Sequence, residues 1–466
     1  MIDPSEKIRT NSAQHGARRP AYVELASEFE ARIRSGMLPP GSQLPAQRDL
    51  ASERSLNVST VTRAYRELQK QNLVIGSTRR GTIVTGQGLM PRVERGEGSG
   101  GMIDLTVNRP ATDEFQNRLA ASLPLVAKDP RFGGMQDYQP PEGPLWAREA
   151  GRRWIALNGF EPSIDDIVVT SGAQHALLAV VSGLINPGDT IVSDRLTYYG
   201  LKALAQMYRF RIIGVGSDEE GMSARELEEA GRQTQIKAVF VVPSMQNPMV
   251  VTMSEHRRKE IVEIAERHDF LIIEDDVYGP MLGSRSPAIY TMAPARTCYI
   301  AALSKAIAPG LRVGWLVAPP GKALMMAEAI RTTAWMPSPL PLLVASRWLE
   351  DGTAITILKA QLAELKARHA LVATMLAGCD FRSDPSCMFI WLRLPAPWLA
   401  EDFTANVRAH GVAVLPSSAF ACDRQPVEHA VRINVGGAGS RDELATALRI
   451  VATTLGDRPR ALSGLA

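Results

Sequence analysis

A chain of 466 residues is too long for one ordinary core and leads us to expect two to four domains. Hydrophobic residues make up 45% and charged residues 22%, the balance of a folded globular protein rather than a disordered or fibrous one. The formal net charge of +3 points to no partner, but it is unevenly spread: residues 1–86 carry 13 Lys and Arg against 8 Asp and Glu, and the remainder 39 against 41. A basic N-terminal part on a near-neutral body suggests an anionic partner.

Cys298, Cys379, Cys387 and Cys422 form no pair with metal-site or redox spacing, so we expect no metal and a reducing compartment. The N-terminus has no apolar segment of the secretory kind. The longest apolar stretch, 167–185, is interrupted by Thr170-Ser171-Gly172 and Gln174-His175, so no membrane span is expected and the protein reads as cytoplasmic.

Residues 1–19 read as a disordered tail. Residues 20–85 read as a compact block. Val23, Leu25, Ala26, Phe29 and Ile33 fall on one face of a helix over 22–35. A second helix is expected over 45–54. A third, over 57–71, has Asn57 or Ser59 as N-cap and Val61, Ala64, Tyr65 and Leu68 facing inward. Leu73–Ile75 and Gly81–Val84 then flank a turn bearing Arg79 and Arg80, a small hairpin. Two short helices followed by a basic hairpin fit a winged helix-turn-helix. Arg48, Ser59, Thr60, Thr62 and Arg63 stand outward, where arginine can take a phosphate or a guanine edge and hydroxyls suit phosphates; solvated charges on a small domain are the alternative.

The run PAYVELASEFEARIRSGMLPPGSQLPAQRDLA, with NVSTVTRAYRELQKQNLV and RRGTIV after it, resembles the GntR family of bacterial regulators. That resemblance implies DNA contacts from Arg48, Ser59, Thr60 and Arg63 and from the wing residues Arg79, Arg80 and Gly81. Val58 stands where the family often has an arginine.

Residues 86–101, GQGLMPRVERGEGSGG, hold six glycines and no apolar period, and read as a flexible linker. From 102 to 466, apolar runs at 167–170, 190–193, 237–243, 270–276, 298–304 and 313–318 alternate with helix-like stretches. This pattern predicts an α/β fold with a largely parallel sheet covered on both faces. The last part, from about 340, reads as a smaller C-terminal α+β subdomain.

Lys305, between an apolar strand and the turn APGLRVGW, could form a Schiff base, though a single lysine is usually a surface one. Asp275 ends a strand, and Gly172-Ala173-Gln174 open a helix whose backbone N–H groups could hold a phosphate. His175, beside that turn, reads as a lining residue.

In order and spacing these features resemble fold-type I aminotransferases over roughly 102–455, with ALSKAIAPGLRVGW as the mark of the lysine that binds pyridoxal 5'-phosphate. The resemblance implies a Schiff base on Lys305, phosphate contacts from Arg312 and from Gly172, Ala173 and Gln174, and Asp275 paired with the pyridine nitrogen. It implies hydrogen bonds from Asn247 and Tyr278 to the ring hydroxyl, and Tyr198 stacked on the ring. Tyr138 would reach the phosphate of the other subunit of a homodimer, and Arg432 would fork onto an amino-acid carboxylate. Ala302 replaces a frequent phosphate-binding hydroxyl, and Met249-Val250 a common Thr-Gly.

A GntR-type head on such a body resembles the MocR regulators. Three functions are weighed: a transcription factor whose body senses pyridoxal phosphate or an amino acid, an active aminotransferase, and a DNA binder whose body only dimerises. The intact head speaks against the second, and the complete cofactor set against the third.

Overall fold

A computed structural model describes residues 20–34, 38, 42–70, 73–77, 81–84, 101–112, 114–423 and 425–457. The expected tail 1–19, the linker up to residue 100, and Arg79 and Arg80 lie outside them. The described residues fall into two compact units, one on either side of Gly88.

The first unit is built of α1 (Ala21–Arg34), α2 (Gln47–Glu53), α3 (Val58–Lys70) and an antiparallel hairpin of β1 (Val74–Ser77) and β2 (Gly81–Val84). Asn57 caps α3: its Oδ1 accepts from the Ser59 amide at 2.9 Å, satisfying one of the orphan donors of a helix start. Val61, Ala64, Tyr65 and Leu68, spaced at three and four residues, are buried against Leu25, Ala26 and Phe29 of α1. Phe29 and Tyr65 meet edge to face at 5.9 Å, and the Tyr65 hydroxyl donates to Pro45 O at 2.9 Å, so this aromatic is buried without an orphaned hydroxyl. The Thr62 hydroxyl donates to Gln47 Oε1 at 2.7 Å and fixes α2 against α3. Each expected head element is present within two residues of its expected end.

The second unit carries a seven-stranded sheet of β3 (Ile167–Thr170), β4 (Thr190–Asp194), β5 (Arg211–Val215), β6 (Ala238–Val241), β7 (Leu271–Asp275), β8 (Thr297–Ala302) and β9 (Gly314–Val317). Their order is β3-β9-β8-β7-β6-β4-β5. Six strands run one way, and β9 runs against both its neighbours. Every residue of β3, β4, β6, β8 and β9 is buried, as the unbroken Val/Ile runs require of a sheet covered on both faces. The edge strand β5, with exposed Arg211, is an addition to the expected set.

The tail folds as expected into a smaller α+β layer. A four-stranded antiparallel sheet, ordered β10-β11-β13-β12, contains β10 (Phe381–Arg382), β11 (Phe389–Arg393), β12 (Leu415–Pro416) and β13 (Ala430–Asn434). The chain from Ile103 to Asn108 also joins this layer: Leu105 N donates to Ala413 O at 2.9 Å, and Asn434 N to Leu105 O at 3.0 Å. The first residues of the body are thereby fixed among its last. No helix among the described residues is long and apolar enough to cross a membrane.

Candidate functional site

The expected site residues of the body, Tyr138 excepted, come together at the carboxyl ends of the parallel strands, where loops from separate strands converge. β3 leads through Ser171 into α4 (Ala173–Leu184), with Gly172 at the N-cap in a left-handed conformation, φ +83°. A side chain there would be strained, and its Cβ would come within 3.0–3.2 Å of the Arg312 guanidinium. The turn therefore needs glycine twice over. No side chain caps α4, so its first amides are available to an anion, and Arg312 Nη2, 3.0 Å from Ser171 O, sits beside them. Arg312 is exposed.

His175 is held locally: Nδ1 accepts from the Ser171 amide at 3.1 Å, and Nε2 lies 3.0 Å from the Thr333 hydroxyl. Burial lowers its pKa. It braces the turn, as expected of a lining residue. Tyr198 is the N-cap of α5 (Tyr199–Tyr208) and folds over Gly200, where a Cβ would meet the Tyr198 ring at 2.3 Å.

Asp275 ends β7 and is buried. Its Oδ1 has no hydrogen-bond partner among the described residues. Burial pushes its pKa to about 7, and the nearby Asp276 charge adds to the rise. Lys305 follows β8, with Nζ 3.3 Å from Asn108 O. Burial brings its pKa down to about 8, helped by the positive charges of Arg432 and Arg312. The carboxylate is thus inclined to share a proton, and the amine is neutral far more often than an exposed lysine.

Behind this pair stands a buried polar network. The Tyr278 hydroxyl accepts from Asn108 Nδ2 at 3.0 Å, and Asn108 Oδ1 accepts from Asn434 Nδ2 at 2.8 Å. Arg432 Nη1 donates to Asn247 Oδ1 at 2.8 Å, and Nη2 donates to Thr106 O. The Arg432 guanidinium lies over Phe389 and Phe420, 5.4 and 4.9 Å from the ring centroids, and its Nε is buried without a partner among the described residues. Asn247 and Tyr278, expected to face a ring hydroxyl, already hold protein groups here.

Tyr138 is apart from this cluster. It is 80% exposed and packs on Trp335 at 5.5 Å. Ala302 is buried and offers no hydroxyl. The sequence reading missed Thr106, Asn108 and Asn434, which no motif marks. Among the described residues no cluster of His, Cys, Asp or Glu could hold a metal ion.

These residues fit pyridoxal 5'-phosphate. The turn at Gly172 and Arg312 offers amides and a cation to a phosphate, the orphaned Asp275 Oδ1 can take a protonated ring nitrogen, and half-buried Lys305 supplies an amine with a lowered pKa.

In the first unit Arg48, Ser59, Arg63 and Gly81 are exposed and Thr60 is half-buried. The Ser59 hydroxyl donates to Asn57 Oδ1 at 2.9 Å.

Comparison with known proteins gives two family matches: aminotransferase class I and II over residues 100–451, and bacterial regulatory proteins of the gntR family over 21–84. An uncharacterized HTH-type transcriptional regulator of Bacillus subtilis, YdeF, is 28% identical over 442 residues, 95% of this chain and 96% of its own. Aromatic-amino-acid aminotransferase 1 of Thermococcus litoralis is 31% identical over 349 residues, 72% of this chain and 83% of its own. Among solved structures, a kynurenine aminotransferase of Pyrococcus horikoshii in complex with PMP superposes with a TM-score of 0.71 at 27% identity, over 78% of this chain and 92% of that one.

Proposed function

Because the chain belongs to the aminotransferase class I and II family and carries a gntR-family head, we propose that it is a cytoplasmic transcription regulator whose body senses pyridoxal phosphate or an amino acid bound with it. The observation that carries this reading is the coexistence, in one chain, of an intact helix-turn-helix and a site of half-buried Lys305 and buried Asp275 beside a turn suited to phosphate. Slow transamination by the same residues is the second reading, favoured by the presence of Lys305, Asp275, Arg312 and Arg432 in one site.

When bound, pyridoxal phosphate supplies an aldehyde and an electron-withdrawing ring. Lys305 would hold it through Nζ, an amine that is about half neutral near pH 8. Asp275, with its unpartnered Oδ1, would hold the ring nitrogen's proton. The amides of Ala173 and Gln174 with Arg312 hold the phosphate, and charge-assisted hydrogen bonds of this kind each contribute about 1.5–3 kcal/mol. Tyr198 would cover the ring face. Arg432 would take a substrate or effector carboxylate as a fork.

Protonation should therefore be coupled to cofactor binding. Asp275 has a pKa of about 7 in the folded chain against 3.8 ordinarily. Between those values the folded state binds more protons, so the stability this group removes grows as pH rises and is complete above about 7. Lys305 acts at higher pH: with about 8 against 10.5, the folded state binds fewer protons, and stability falls as pH drops through that window. A ligand that gives Asp275 a cationic partner removes most strain where Asp275 is ionised. Addition of pyridoxal phosphate should raise Tm more at pH 8 than at pH 6, and Asp275→Asn should shrink that difference. A rise in Tm independent of pH in the wild type would contradict this.

The exposed Tyr138 supports a homodimer in which each chain completes its neighbour's site. Sedimentation of the protein with its cofactor should show a dimer at micromolar concentration; a stable monomer would remove Tyr138 from the site.

The head is expected to place α3 in the major groove, with Arg48, Ser59, Thr60 and Arg63 toward DNA and Gly81 and the wing, with Arg79 and Arg80, toward the backbone. On the duplex that the wild type selects from a random pool, Arg63→Ala should cost about 1–3 kcal/mol and relax preference at one position. Arg80→Ala should weaken all sequences alike and lower the salt slope by about one per head. Gel shifts over a salt series check both, and wild-type binding by both variants would turn the reading toward the enzyme.

A further inference from the structure

Arg63 is the sixth residue of α3, and its guanidinium carbon lies 4.5 Å from the ring centroid of Tyr22 on α1. Arg63 is exposed and Tyr22 half-buried. Another exposed arginine of the head is spent differently: Arg54 forks onto Glu28, with its nearer contact at 2.8 Å. No hydrogen bond or ion pair joins Arg63 to another described residue, and its guanidinium carbon stands over the Tyr22 ring.

A guanidinium stacked on an aromatic ring keeps its planar fork of donors while losing the freedom of a long side chain. Such a fork matches the O6 and N7 acceptors of a guanine, which need two donors in one plane. A phosphate needs only the charge. Ordering the arginine before binding removes part of the entropy that contact with a base would otherwise cost.

We infer that Tyr22 is a positioning residue for DNA readout, holding Arg63 edge-on for a base in the major groove. The inference rests on the reading of the head as a DNA binder and names an α1 residue outside the helix-turn-helix as part of its specificity. The contact is with the ring, so phenylalanine should serve as well.

The test uses the full-length chain with pyridoxal phosphate present and fluorescence anisotropy on two duplexes: one selected by the wild type from a randomised pool, and a scrambled control. Tyr22→Leu should bind the selected duplex about three- to tenfold more weakly and leave the scrambled one unchanged. Tyr22→Phe should bind both as the wild type does. The double variant Tyr22→Leu/Arg63→Ala should be no weaker than Arg63→Ala alone. Equal loss by Tyr22→Leu on both duplexes would show a merely structural role and overturn the proposal, as would additive losses in the double variant. Arg63→Ala that discriminates like the wild type would overturn the assignment of Arg63 itself, and Tyr22 with it.

Discussion

Lys305→Ala should abolish covalent capture of pyridoxal phosphate. Wild-type protein loaded with the cofactor should show an absorbance band at the edge of the visible that borohydride removes, leaving the label on the peptide that contains Lys305. The structure gives the reason for choosing this amine: half-buried Lys305 has its pKa brought from 10.5 to about 8 by desolvation and by the charges of Arg432 and Arg312. An exposed lysine at neutral pH is almost wholly protonated and cannot attack a carbonyl. The loss should be complete rather than graded, because no second residue can replace a missing nucleophile. The phosphate turn and Asp275 should still hold the cofactor weakly without a covalent link. A Lys305→Ala protein that keeps a borohydride-sensitive label would remove the assignment.

Arg432→Ala should abolish the response to amino acids while the cofactor stays bound. Arg432 is fully buried between Phe389 and Phe420, with Nε unpartnered, so its charge is expressed in a desolvated place. Removing one partner of a buried bidentate pair costs about 2–5 kcal/mol, roughly 30- to 4,000-fold in affinity. Arg432→Lys keeps the charge but not the fork, and should fall between the two. Spectral titration with a panel of amino acids checks the order. A wild-type response from Arg432→Ala would leave pyridoxal phosphate as the sole effector.

Much of this was legible in the sequence, for reasons that differ from element to element. The inner face of α3 follows from helical spacing, since Val61, Ala64, Tyr65 and Leu68 can share a face only in a helix. The buried strands follow from their Val/Ile runs, and Lys305, Asp275, Asn247 and Arg432 from motifs whose spacing survives in one chain. The reversed direction of β9 was not legible, because a short apolar run reads the same whichever way the strand points. The edge strand β5 was hidden by its arginine and its half-exposed residues. Thr106, Asn108 and Asn434 were missed because their partners lie hundreds of positions away: Arg432 meets Thr106, and Asn434 meets Asn108, only once Ile103–Asn108 has joined the small layer. Lys305 Nζ lies 3.3 Å from Asn108 O, and the Asn108 side chain ties Tyr278 to the strand carrying Arg432.

The central claim is that occupancy of the Lys305 site changes how the head binds DNA. The direct measurement is one titration of the wild-type chain, loaded with pyridoxal phosphate, with single amino acids, following absorbance and affinity for its selected duplex together. The account predicts that the two signals move with the same midpoint for an effective amino acid, and that both are lost in Arg432→Ala. Absorbance changes with steady turnover of amino acid to oxo acid, at constant DNA affinity, would contradict it and identify the chain as an aminotransferase with an uncoupled head.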